Sequence, residues 1–236
     1  MRAGQAGSKA MSSGMTHRCR AMIFPACALM TMSSLPAALP AKAPASKSQC
    51  AYPSVRLVTD LGAISIAVDR RHAPGSAQAF LDHVESGAFM RHGSFYRTVR
   101  KNDNDRGKPE IDVIQGGWLD APASIPAIEH ESTRQTGLTH RDGAVSLARW
   151  ALNSANGTAF FIAIGDQPAL DAGGGRDGGD GQGFAVFGYV VKGMDVVKRI
   201  HALPTSSTSA NPYMKGQMID RPVLIRKAVE ECGRYR

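Results

Sequence analysis

A chain of 236 residues, 43% hydrophobic and 20% charged, has the apolar mass of a folded protein with one full core or two small ones, not of a disordered segment. A formal charge of +8 would suit a nucleic-acid partner if it were spread over the folded surface. It is not spread: residues 1–45 hold Arg2, Lys9, Arg18, Arg20 and Lys42 and no acid, leaving 23 basic against 20 acidic groups, or +3, for the remainder, too little to argue for nucleic acid.

Taken in chain order, residues 1–45 read as a secretory leader: Arg18 and Arg20 precede an apolar run over 21–32, followed by small residues and prolines. Met15 offers a second start, since residues 1–14 add nothing to such a leader. Cleavage is expected after Ala45 rather than Ala43, because Pro44 directly follows the latter. Pro25, Ser33, Ser34 and Pro36 interrupt the run short of the ~20 apolar residues that spanning takes, so no stable membrane insertion is expected after cleavage. Residues 46–53 form a polar linker, residues 54–232 the folded domain and 233–236 a tail. Cys19 and Cys27 leave with the leader. The mature chain keeps Cys50 and Cys232, and their spacing leaves a disulfide and two separate thiols equally open.

Strands are predicted over 55–59 and 63–68 around an Asp60-Leu61-Gly62 turn. A helix follows over 74–86, with Ala77, Phe80, Leu81 and Val84 at helical spacing, Pro74 in its first turn and Gly87 at its end. Short apolar runs over 94–99, 111–116, 144–148, 159–164 and 184–191, each bounded by Gly, Asp, Asn or Pro, are strands. A second helix over 194–200 and a last strand over 222–229 complete a set of about eight strands and two helices, a sandwich or barrel. Residues 101–110 (KNDNDRGKPE) and 171–183 (DAGGGRDGGDGQG) read as solvated surface loops, too polar to pack.

Several chemistries lack support. The Gly-rich stretch has no Gly-Lys-Ser/Thr ending and opens no helix, which rejects nucleotide binding. Asp171, Asp177 and Asp180 are one irregular copy of a Gly-Asp pattern, weak support for calcium. His72, His83, His92, His130, His140 and His201 share no metal-ligand spacing, so neither metal nor other cofactor is expected. No G-x-S-x-G elbow supports acyl transfer.

Dispersed elements remain: Phe95-Tyr96-Arg97; Val113-Ile114-Gln115-Gly116-Gly117; Gly143 through Arg149 (GAVSLAR); Phe160-Phe161-Ile162; and Phe184-Ala185-Val186-Phe187-Gly188. In this order they resemble the cyclophilins, whose pattern runs F-x-R, Q-G-G, G-x-x-S-M-A, Q-F-F-I and V-F-G before a helix. The likeness covers about residues 55–229, and Ala148-Arg149 with residues 184–200 look most like the bacterial periplasmic branch. The resemblance implies a closed eight-stranded antiparallel β-barrel capped by two helices and peptidyl-prolyl cis-trans isomerisation of proline-containing polypeptides. With the leader, it implies a periplasmic monomer acting on exported chains. Arg97 would be the catalytic donor, and Gln115 would hold the substrate backbone beside it. Phe95, Val113, Phe161, Leu170 and Phe184 would line the groove or proline pocket, or, for Phe161 and Leu170, belong to ordinary barrel core. Ala148 and Arg149 would hold the peptide on the far side. Because the first and last strands of that fold are neighbours, it also implies a Cys50–Cys232 disulfide.

The departures are specific. Arg97 and Gln115 stand about ten residues further apart than in the family, so 101–110 is an insertion beside the groove. Asp112 replaces a pocket phenylalanine, Ala159 a peptide-holding glutamine, and Ala169 a ring that contacts cyclosporin, so weak binding of that drug is expected. These changes favour a second reading, a proline-peptide-binding or chaperone protein without catalysis on the same barrel.

Overall fold

The computed structural model describes residues 53–176, 179–206, 209 and 211–232; the expected leader, Cys50, Asp177 and the 233–236 tail lie outside them. Nine strands are seen among the described residues: β1 (Pro53–Thr59), β2 (Gly62–Val68), β3 (Ser94–Val99), β4 (Val113–Gly117), β5 (Ala144–Leu147), β6 (Ala159–Ala163), β7 (Ala185–Lys192), β8 (Thr205–Ser206) and β9 (Met218–Cys232). All pairings are antiparallel, in the order β1-β2-β7-β5-β6-β4-β3-β9, and β9 pairs back to β1, closing an eight-stranded barrel. Closure removes free strand edges. The two-residue β8 lies outside the ring on β9.

β9 runs 15 residues, four longer at its start than the sequence pattern indicates, because Pro222 does not end it. Its first part pairs with β3 and its second with β1. Pro53 stands opposite Cys232, which is disulfide-bonded.

Helix α1 (Pro74–Glu85) starts on Pro74, and the Glu131 carboxylate accepts the Gly75 and Ser76 amides at 3.0 and 2.7 Å, satisfying N–H groups that a first turn leaves without helical partners. α4 (Met194–His201) buries Val196, Val197 and Ile200. Two short helices, α2 (Ala88–His92) and α3 (Thr133–Thr136), escape the 3.6-residue pattern because neither is long enough to display it. No described helix is long and apolar enough to cross a membrane.

Alternation along the strands sorts the apolar residues into separate sets. The barrel interior holds Val55, Leu57, Ile64, Ile66, Phe95, Ile114, Val145, Leu147, Phe160 and Ile162 with Phe80 of α1 and Ile200 of α4. Phe80 meets Phe160 edge-on at 5.2 Å and Phe187 at 4.9 Å. A second cluster, on the outer face, comprises Val99, Ile111, Val113, Phe161 and Leu170, with Ala148, Ala169 and Phe184 packed on it.

Candidate active site

The strand registers set a row across the outer face: Arg97 on β3 faces Gln115 on β4, Gln115 faces Phe161 on β6, and Phe161 faces Ser146 on β5. A bulge between Phe95 and Arg97 creates this row. It inserts Tyr96 and reverses the alternation, so that Phe95 points into the barrel while Arg97 and Val99 point out. Phe95 is therefore no groove residue. It is fully buried against Phe160 at 5.8 Å, and a side chain on Gly116, its cross-strand neighbour, would strike its ring. Alternation along β6 likewise removes Phe161 from the barrel core, and Leu170, in the turn after β6, joins it with Val113, Ala148 and Phe184 in the outer cluster.

Arg97 is 9% exposed, and its guanidinium is gripped from two sides. Nη1 donates to Gln115 Oε1 at 2.7 Å, while Nε and Nη2 both donate to Gln217 Oε1, at 2.9 and 2.6 Å. Tyr213 covers one face, its ring centroid 5.3 Å from Cζ. The two glutamines engage three of the five N–H groups, and the Tyr213 hydroxyl is a further hydrogen-bonding neighbour of the guanidinium. Burial pulls the pKa below the usual arginine value, opposed by the nearby Tyr213 and Tyr96 hydroxyls; an arginine so placed keeps its charge at any working pH.

Phe161 is held by its neighbours. The His140 ring stacks on it at 5.8 Å and 10°, and Phe184 meets it edge-on at 5.3 Å. His140 is itself fixed in a buried chain, Nδ1 2.7 Å from Asp171 Oδ1 and Nε2 2.8 Å from Ser146 Oγ. With Asp171 ionised, Nδ1–H donates to it and Nε2 accepts from the serine. Burial lowers the His140 pKa, against the pull of Asp171. The trio has the composition of a nucleophilic triad, yet Ser146 is wholly covered and His140 nearly so, leaving no approach for a substrate. It is a support beneath the Phe161 ring.

Arg149 does not present its head group to a groove. Its guanidinium bonds both oxygens of Asp180, at 2.6 and 2.8 Å, and the Gly183 carbonyl, and lies over Phe184 at 5.3 Å. Chiefly through the Arg149 hydrogen bond, the Asp180 pKa falls to about 2. Asp171 and Asp180 thus serve His140 and Arg149, and no cluster of three metal-ligating residues occurs among the described residues.

The 101–110 segment is not a purely solvated loop. Asp105 and Arg176 form a buried bidentate pair at 2.6 and 2.7 Å, their side chains 0% and 8% exposed. Asp105 also accepts the Gly107 and Ile111 amides, and Arg176 donates to the Pro109 carbonyl at 2.7 Å. Two segments that look too polar to pack do so at Asp105 and Arg176, because each of these charges finds its partner in the other. Gln217, Tyr213 and this pair are missing from the sequence reading. Gln217 lies 120 positions from Arg97, and no spacing pattern joins them.

Comparison with known proteins gives the family. Residues 54–227 match the family described as "Cyclophilin type peptidyl-prolyl cis-trans isomerase/CLD". The chain belongs to the cyclophilins. Among its relatives is peptidyl-prolyl cis-trans isomerase A of Dickeya dadantii, 32% identical over 204 residues that cover 85% of this chain and 94% of that protein. A peptidyl-prolyl cis-trans isomerase of Acinetobacter baylyi is 31% identical over 65% of this chain and 74% of its own length. In fold the chain is similar to a Cryptosporidium parvum cyclophilin: TM-score 0.55, 18% identity, covering 76% of this chain and 98% of that one. A structure of the same protein obtained in the presence of the dipeptide Ala-Pro also gives 0.55, at 20% identity over 75% and 97%. This cyclophilin has an eight-stranded barrel with the clamped 101–110 loop near Arg97.

Proposed function

We propose that this isomerase acts on X-Pro bonds of unfolded or flexible exported polypeptides in the periplasm, with Arg97 as the electrophilic donor. The observation that carries the reading is the outer-face row: a charged guanidinium, an amide beside it, and an apolar cluster whose Phe161 stands two strand spacings, ~10 Å, along the row. Rotation about a peptide bond meets a barrier of ~18–20 kcal/mol because resonance stiffens it. No bond is made or broken, so no nucleophile or metal is required. In the twisted state the proline nitrogen becomes pyramidal and recovers its lone pair, and a fixed N–H aimed at it stabilises that state more than either planar isomer. The N–H groups of Arg97 that the two glutamines leave suit this task, one toward the imide nitrogen and one, by displacing the Tyr213 hydroxyl, toward the preceding carbonyl. Val113, Phe161, Leu170 and Phe184 would receive the proline ring. Ala148 would lie along the peptide, while Arg149 shapes the wall through Asp180.

Export follows from the expected leader over residues 1–45 and is consistent with a disulfide at Cys232, for which Cys50, three residues before Pro53, is the proposed partner. A monomer and weak cyclosporin affinity complete the proposal, the latter from Ala169. Arg97→Ala should lower kcat/KM on a proline peptide by about 100-fold, the loss typical of removing a single preorganised donor; equal rates for wild type and variant would end the assignment. The rival reading, peptide binding without rate enhancement, draws on the 9% exposure of Arg97. Saturable binding of a proline peptide with no acceleration would select it.

A further inference from the structure

We infer that Gln217 is a positioning residue for the isomerisation, aiming the Arg97 guanidinium, and that the inserted loop holds Gln217 in place through Asn104. The inference rests on Arg97 being the donor. An arginine side chain has many rotamers, and a donor must meet a twisted imide within a few tenths of an ångström and ten or twenty degrees. Gln115 alone binds only one corner of the guanidinium. Gln217 Oε1 takes the opposite edge, accepting from Nε and Nη2 together, which defines the plane of the fork and not merely its location.

The amide of Gln217 cannot turn over. Arginine only donates and a backbone carbonyl only accepts, so Oε1 must face Arg97 while Nε2 donates to the Asn104 carbonyl at 2.9 Å. Its backbone is pinned as well: its N–H donates to the Met214 carbonyl at 3.0 Å, and its own carbonyl accepts the Thr98 amide at 2.9 Å. Asn104 in turn donates from Nδ2 to the Thr98 and Gly216 carbonyls and accepts the Arg100 amide at 2.7 Å. A 1% exposed glutamine with every polar atom committed, four of its five side-chain and backbone hydrogen bonds shared with the Arg97 strand or the 101–110 loop, is a fixture and not a filler. A neutral amide also leaves the positive charge of the fork uncompensated, as a carboxylate there would not.

The experiment is a cycle in the full-length protein after leader removal: Gln217→Met, which keeps the volume without the acceptor; Gln217→Asn, which draws the oxygen back by about one bond; Arg97→Ala; and the doubles, assayed for kcat and KM on a proline tetrapeptide, with thermal melting for each. In the wild-type background both Gln217 variants should lower kcat by about 10- to 100-fold and leave KM within about twofold. In the Arg97→Ala background the same changes should have no further effect on kcat, which a merely structural role would not reproduce. A folded Gln217 variant with wild-type kcat, or an equal loss in both backgrounds, or a loss confined to KM overturns the inference. If Arg97→Ala itself keeps full rate, the donor assignment falls first and this inference with it; if Arg97→Ala is slow and the Gln217 variants are fast, the inference alone falls.

Discussion

The buried Asp105–Arg176 pair is the test of whether the insertion is part of the folded domain. In Arg176→Met the stem is kept and the guanidinium lost, so the fully covered Asp105 carboxylate retains only the Gly107 and Ile111 amides. Breaking one side of a buried, hydrogen-bonded pair costs about 3–5 kcal/mol, and the two remaining amides put the expectation near ~3. For a domain of this size each 1 kcal/mol moves Tm by about 2–4 °C, so a fall of roughly 6–12 °C is expected by calorimetry. Gly107→Ala should act through the same contact, because a Cβ at 107 would overlap Arg176 Cζ. A cycle of Asp105→Ala, Arg176→Met and the double should show a coupling of at least about 1.5 kcal/mol. If the loop opens on its own, the cost shifts from Tm to local protection, and limited proteolysis within 101–110 should rise in the variants. Single variants with wild-type Tm and no new cleavage would show that the pair contributes nothing and that the segment is loosely attached.

Phe160→Ala should cost about 3–5 kcal/mol because it empties the aromatic centre of the barrel, whereas Phe161→Ala, one residue on, should chiefly raise KM for proline peptides; chemical denaturation and steady-state rates separate the two. For His140 the folded pKa lies below the unfolded value of about 6.5, so the unfolded chain binds more protons in that interval and stability should fall as pH drops below about 6.5; melts between pH 7.5 and 5 should show a smaller slope for His140→Gln. Asp105 and Asp180 are depressed in the same sense from about 3.9, and their contributions should be lost only in a second decline below about pH 4. Cys232→Ser should lower stability by about 4–5 kcal/mol if the bridge closes the long loop to Cys50, and thiol titration of the exported wild type should find no free cysteine.

The sequence carries the architecture because strand alternation, turn residues and two helical faces all agree on it. It fails where one residue changes the phase. Phe95 and Arg97, two positions apart, should share a face; the bulge at Tyr96 separates them, and a bulge leaves no mark in hydrophobic pattern. Phe160 and Phe161 show the converse. Neighbours on a strand must face opposite ways, so one of them is core and the other lines the outer cluster, but only the register with Gln115 and Ser146 decides which.

Polarity misleads in a different manner. KNDNDRGKPE and the Gly-rich segment look unable to pack, since burying any one of their charges alone would cost several kcal/mol. That cost is offset for a charge whose partner arrives from another part of the chain, and composition cannot say that Asp105 will meet Arg176, 71 residues away. Once they meet, the 101–110 loop is tied to the site: Arg176 also reaches toward Tyr213, whose ring lies over the Arg97 guanidinium, while the Asn104 carbonyl accepts from Gln217. The 101–110 loop is thereby tied to the residue on which the proposed chemistry rests. Loosening the loop should change how Arg97 is held before it changes whether the barrel folds.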